Sequence, residues 1–302
     1  MFDLWILAAI FAAFMQNLRS ALQKHLKSRL STGGATYVRF LYAAPLALVW
    51  LLGVQQVTGY DYPAINSRFV LFCLLGGIMQ ILFTFLLVYM FSLRNFAVGT
   101  AYSKTEVIQV AFLGLILLGD TVSLTSLAAI CTGMVGILAL SVAHTGVTWK
   151  ALGASLFKKS TMVGLLCGAV LGASVVFFRG ASLALGDGPV IMRVAFTLCF
   201  ALTMQTVIMG IYLLTRERGQ MIAVLRHWRV ASLVGIAAFL GSIGWFTAFT
   251  LQNAAFVRAV GQIELVFTFI ASVIFFKEKT NAMELLGIGL IVAAIIVLVL
   301  AG

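Results

Sequence analysis

The stretch from Phe91 to Leu140 occurs again, altered, from Phe249 to Leu298. The two align without a gap at a shift of 158 residues. Asn95 falls on Asn253, Ala97 on Ala255, Ala101 on Ala259, Glu106 on Glu264 and Asp120 on Glu278. At the same shift Gly77 meets Gly235. With slightly different shifts Arg19 meets Arg179 and Arg39 meets Arg193. A repeat of this size divides the chain into two like halves before any motif is read. It also puts two carboxylates at matched points inside apolar runs, where drift would have removed them.

Those runs place the chain in a membrane. Of its 302 residues 62% are hydrophobic and 10% are charged. A soluble domain carries about 25% charged residues. A membrane span needs about 20 apolar residues. Ten candidates follow one another at roughly 4–22, 35–56, 70–92, 96–118, 124–142, 162–185, 189–213, 230–251, 254–276 and 283–301. The loops between them are too short for a soluble domain. The N-terminus has no basic stretch before its apolar run and no small-residue cleavage site after it, so it reads as a retained first span.

The spans divide as residues 1–142 for a first repeat of five helices, 143–161 for a connector and 162–302 for a second repeat of five. Five is odd, so the second half enters the membrane from the opposite side. The expected fold is an all-α polytopic membrane protein of ten transmembrane helices, built as two inverted five-helix repeats. The state of association is open between monomer and homodimer.

Basic residues give an orientation. The loops joining spans 1–2, 3–4, 5–6, 7–8 and 9–10 hold thirteen Lys and Arg residues, against Arg68 alone on the other side. Such a bias puts those five loops in the cytoplasm, the connector included, and both termini outside. It also explains the net charge of +11 as contact with anionic membrane lipid, so nucleic acid is not an expected partner. A bacterial inner membrane is the expected location.

No enzyme signature is present: there is no phosphate loop, no HExxH and no GxSxG. Cys73, Cys131, Cys167 and Cys199 sit in apolar runs without CxxC spacing, which points to thiol packing. No cofactor and no metal site is expected.

The informative groups are the ionisable ones inside spans, which are costly there and usually face a polar cavity or a partner. Glu106 and Glu264 each lie about ten residues into their span. They read as substrate or proton-coupling carboxylates, or as ion pairs tying helices together. Arg19 and Arg39 fall toward the cytoplasmic ends of spans 1 and 2, Arg179 and Arg193 toward the outer ends of spans 6 and 7. Three readings stand for them: anion binding or gating at each mouth of a pathway, pairing with the glutamates, and snorkelling to headgroups. Lys104 and Arg258 add charge on spans 4 and 9. On a straight helix neither shares a face with its own half's glutamate. The excess of bases leans toward a substrate with an anionic or zwitterionic group. Gln16, Asn17, Gln80, Tyr89, Tyr102, Gln109, Gln205, Trp245 and Gln262 are candidates to line a cavity or to pack helices. Gly164, Gly168 and Gly172 form a small-residue ladder that suits close helix approach.

Three motifs resemble the drug/metabolite transporter superfamily, in particular its ten-helix EamA-like branch. Val38-Arg39-Phe40 is similar to that family's start of helix 2. Leu118-Gly119-Asp120 and Phe276-Lys277-Glu278 are similar to its ends of helices 4 and 9, and Leu285-Leu286-Gly287 to its helix 10. The proline that follows the glutamate in many relatives is Val107 and Leu265 here, so the sequence supplies no proline kink at either position. The resemblance implies a secondary transporter moving a small organic metabolite, such as an amino acid or organic acid, by alternating access. Other readings are a flippase for a lipid or lipid-linked headgroup, a multidrug or cation exporter, and a non-transporting membrane scaffold.

Overall fold

The computed structural model describes residues 3–90, 92–93, 102–145, 158–275 and 280–301. Most of the connector, the first residues of span 4 and the Phe276-Lys277-Glu278 motif lie outside the described residues. Within them the protein is helical, and eight helices or helix pairs are long and apolar enough to cross a membrane.

The first half contains α1 (Leu4–Leu26), α2 (Thr32–Leu41), α3 (Ala44–Thr58), α4 (Ser67–Met90), α5 (Glu106–Leu118) and α6 (Leu124–Thr145). The second contains α7 (Lys159–Ala184), α8 (Val190–Arg216), α9 (Arg218–Arg226), α10 (Trp228–Leu251), α11 (Ala254–Gly261), α12 (Ile263–Phe275) and α13 (Ala282–Ala301). Their ends are set by local chemistry. Ser31 accepts the Gly34 N–H at 3.0 Å before α2, and the Asn253 side chain accepts the Ala255 N–H at 2.9 Å before α11. Asn281 and Glu284 cap each other's backbone N–H at the start of α13. Gly119 ends α5 with a left-handed φ of 73°, which lets the Asp120 N–H turn back onto the Gly114 carbonyl at 3.1 Å.

The two halves pack about a pseudo-twofold axis. The first span (α1) lies along the eighth (α10), and the third (α4) along the sixth (α7). The second and seventh, the fourth and ninth, and the fifth and tenth pair with each other. Exchanging the halves leaves this list unchanged. The seam between α6 and α13 shows the axis residue by residue. Gly133 faces Ala294, the repeat equivalent of Gly136, and Gly136 faces Ile291, the repeat equivalent of Gly133. The contacts climb one helix while they descend the other, so equivalent helices run antiparallel and the repeat is inverted. Glycine is required here: a Cβ on Gly136 would stand 2.7 Å from the Gly287 carbonyl oxygen, and one on Gly287 would stand 2.8 Å from that of Gly136.

Two features depart from the sequence reading. The loop between spans 7 and 8 contains a helix of its own, α9. It packs back on α2, and Ser31 hydrogen-bonds to Glu217 and, at 2.9 Å, to Gln220. The fourth and ninth spans are also interrupted despite the missing prolines. At Lys104-Thr105 and again at Gln262 the backbone bonds shorten to three residues, as in Thr105 N–H to Tyr102 at 3.2 Å and Gln262 N–H to Ala259 at 3.1 Å. A tightened turn of this kind swings the next helix to a new direction. Each glutamate then falls in the first turn of the following helix, at its electropositive end.

Candidate functional site

Lys104 and Gln262 are repeat equivalents, each two residues before its own half's glutamate. The turns at these positions aim them across the twofold. Lys104 Nζ donates to Glu264 Oε1, and Gln262 Nε2 reaches Glu106 Oε1 at 3.5 Å. Glu106 receives its cation from the same half as Gln262. Arg258 Nε bonds Glu106 Oε1 at 3.0 Å, its terminal nitrogen bonds the same oxygen, and the guanidinium lies over the Trp245 ring at 4.6 Å. Glu264 is steadied from α1. Gln16 Nε2 donates to its Oε2 at 3.2 Å, and Asn17 Nδ2 to its backbone carbonyl at 3.1 Å. Both carboxylates are therefore paired, each with a cation from the opposite half. Arg258 and Glu106 are almost fully enclosed, at 3% and 1% side-chain exposure, while Lys104 keeps 15%.

The pairs border a cavity of about 180 Å³ between α1, α4, α5, α7, α11 and α12. Arg19 lines it and is buried, yet its Nε and one terminal nitrogen have no hydrogen-bond partner. Arg19 also lies within electrostatic reach of the like charges of Arg258 and Arg39. Arg39 donates to Thr84 Oγ1 at 2.8 Å and leaves its Nε unbonded. It borders a smaller chamber of about 20 Å³, whose wall shares Gln16, Phe83, Leu171 and Arg258 with the main cavity. The apolar wall of Phe83, Leu87 and Leu171 lowers the local dielectric and strengthens every charge contact inside.

Other candidates lie elsewhere. Arg179 spends its donors on structure. Its Nε and one terminal nitrogen form a two-point pair with Asp120, at 2.9 and 3.2 Å. The other terminal nitrogen donates to the Phe249 and Gln252 carbonyls, both at 2.6 Å. The ends of α5, α7 and α10 are tied together by this one side chain. Arg193 donates to the Gly186 carbonyl at 2.9 Å and stands at the start of α8. Gln205 bridges the Gly77 carbonyl and Gln80 and so holds two helices together, whereas Gln109 donates to Thr105 one turn earlier, at the start of its own helix. Tyr89 lies under Lys159, with 5.7 Å from the ammonium to the ring centre, and Tyr102 is buried beside the turn. The two arginines of the first half thus lie inside, with the glutamates, and not at a mouth. The sequence reading did not single out Ser103 in the cavity wall, Thr84 beneath Arg39, or Asp120 as the partner of Arg179. For Asp120 a signal existed, since the Leu-Gly-Asp turn is one of the repeated motifs. Among the described residues no cluster of His, Cys, Asp or Glu could hold a metal ion.

A model of the EamA-like transporter family matches residues 3–142 and again 159–300. A search of curated proteins finds no match. Among solved structures, one described only as the crystal structure of a protein superposes with a TM-score of 0.69 at 12% identity. The match covers 97% of this chain and 94% of that one, and at such low identity it bears on the fold alone.

Proposed function

Because the chain belongs to the EamA-like transporter family, whose members are membrane transporters of the drug/metabolite transporter superfamily, we propose that it carries a small anionic or zwitterionic metabolite through the cavity between its halves. The observation that supports this most is Arg19: a buried guanidinium with two unbonded nitrogens, lining a cavity of about 180 Å³. Arginine stays charged under all accessible conditions. A buried charge without a partner costs several kcal/mol. A carboxylate or phosphate that accepts two parallel bonds from its edge recovers that cost.

Movement follows from the crossed pairs. Lys104–Glu264 and Arg258–Glu106 each join one half to the other, so the halves rock apart only when these contacts exchange. A bound anion competes with Glu264 for Lys104 and loosens that pair. A carboxylate stripped of its cation in a low-dielectric site takes up a proton, which gives a route for proton coupling. The Arg179–Asp120 contact is the gate at the opposite end. The loops rich in Lys and Arg face the cytoplasm of a bacterial inner membrane, and both termini face outward.

The test is uptake by proteoliposomes holding the purified protein, with labelled organic acids and amino acids. Saturable flux that Arg19→Gln removes is the expected result. Flux limited to lipophilic cations, or flux indifferent to Arg19→Gln, overturns the reading. A C-terminal reporter that is active only in the cytoplasm would reverse the orientation.

A further inference from the structure

Four cations and two carboxylates meet in the two adjoining chambers: Arg19, Arg39, Lys104 and Arg258 against Glu106 and Glu264. The two carboxylates are already engaged, Glu106 by Arg258 and Glu264 by Lys104. Among the described residues, no further carboxylate lines either chamber. Arg19 and Arg39 therefore remain as two buried positive charges, at 3% and 4% exposure, with three unbonded guanidinium nitrogens between them.

From this we infer that the transported solute carries two negative charges, one received by Arg19 and the other by Arg39. The inference deepens the carrier reading of the same site and rests on it. A zwitterion would bring its own cation into a site that already has two too many. A monoanion would leave one guanidinium uncompensated in a medium where that is costly. A small dicarboxylate or a phosphate monoester satisfies both. Size agrees: at about 30 Å³ for each water, the main cavity holds roughly six waters. The chamber at Arg39 adds room for about one more. The chamber at Arg39 takes no more than about one water, so a dicarboxylate reaches both guanidinium groups only as the shared side chains Gln16 and Arg258 move aside, and a phosphate monoester presents both charges from its one phosphoryl group. Gln16 lines both chambers and Gln80 the smaller one, so their amides stand in the walls that such a solute meets.

The experiment is equilibrium binding to the full-length protein in lipid nanodiscs, with matched probes of different charge. Succinate and glycerol phosphate are the dianions, monomethyl succinate and butyrate the monoanions, and alanine the zwitterion. At least one dianion is expected to bind tenfold or more tightly than the best monoanion. Succinate above glycerol phosphate marks a dicarboxylate carrier, and the reverse order a phosphate-ester carrier. Arg39→Gln should bring dianion and monoanion within threefold of each other. Arg39→Lys keeps the charge and should keep the preference, which separates loss of charge from loss of fold. If alanine or a monoanion binds as tightly as both dianions, the inference fails and the carrier reading survives. If no probe binds and no labelled acid or amino acid is transported, both fall.

Discussion

Arg179 pairs with Asp120 through two nitrogens and gives its third to the carbonyls of Phe249 and Gln252. Arg19, its relative in the first half, is buried with two nitrogens unbonded. Sequence related by an inverted repeat has thus been put to opposite uses: one arginine closes three helix ends, the other waits in a cavity. The packing around them is closely symmetric, down to the exchange of Gly133 and Gly136 across the seam. Charge bonding is not. An alternating-access carrier needs this combination, since a symmetric frame has two equivalent tilts and any single state must break the symmetry somewhere.

The sharpest way to break that comparison is to remove each arginine in turn. Arg19→Gln loses charge-assisted bonds to a bound anion worth about 1.5–3 kcal/mol, so flux should fall about 10- to 100-fold. Its melting temperature should hold or rise, because an unpaired buried charge has gone. Arg179→Gln should do the reverse to stability. It strands Asp120 and two carbonyls, at a cost of about 3 kcal/mol, the low end for a buried pair because this one is partly exposed. Thermal unfolding in detergent beside liposome flux reads both. A stable Arg179→Gln protein beside an unfolded Arg19→Gln protein would exchange the roles assigned to them.

The two carboxylates differ in the same way and more mildly. Glu106 and Arg258 are nearly sealed from solvent, whereas Lys104 beside Glu264 keeps 15% exposure. Glu106→Gln leaves a sealed guanidinium without its anion, so it should cost more stability than Glu264→Gln does, about 3 kcal/mol against roughly 1–2, read as the larger fall in melting temperature. Adding Arg258→Gln to Glu106→Gln should recover most of the loss. Equal destabilisation by the two single changes would show that the pairs are interchangeable and the asymmetry superficial.

The seam of α6 and α13 is the control, because there the halves are alike. Gly136→Ala and Gly287→Ala each push a methyl into the facing carbonyl, at 2.7 and 2.8 Å. Overpacking of this order costs about 1–3 kcal/mol, and the two changes should lower stability by the same amount with little effect on binding. A large difference between them would mean that one of the two facing backbones yields at this close approach and the other does not.

Much of this was legible in the residues. The gapless repeat and the odd number of spans per half give the inverted architecture. The cost of charge in an apolar run marks Glu106, Glu264, Arg19 and Arg39 as worth finding. What the residues do not carry is who meets whom. Lys104 and Glu264 are 160 positions apart and Arg258 and Glu106 are 152, and each pair spans the two halves. Periodicity along one helix is silent on that. Proline and glycine are the residues that announce a break, and Gly261 stands at the one in the ninth span. The interruption at Lys104-Thr105 was hidden for a different reason: there the helix turns on a polar side chain that finds a partner across the interface. Repeat logic could have reached the crossing, since the residue two before each glutamate is a donor in both halves. A straight-helix assumption concealed it.

The smallest effect distinguishes which glutamate yields to substrate. Gln16 holds Glu264 at 3.2 Å and lines the cavity, while Gln262 touches Glu106 at 3.5 Å and is buried. A neutral hydrogen bond contributes about 1 kcal/mol, so Gln16→Ala should alter apparent substrate affinity by about 3- to 5-fold. Gln262→Ala removes a long contact from a carboxylate that keeps its arginine, and should alter it by less than about 2-fold. Binding isotherms on the two variants in nanodiscs resolve this. A larger effect at Gln262 would make Glu106, the more deeply buried of the pair, the carboxylate that exchanges its cation during transport.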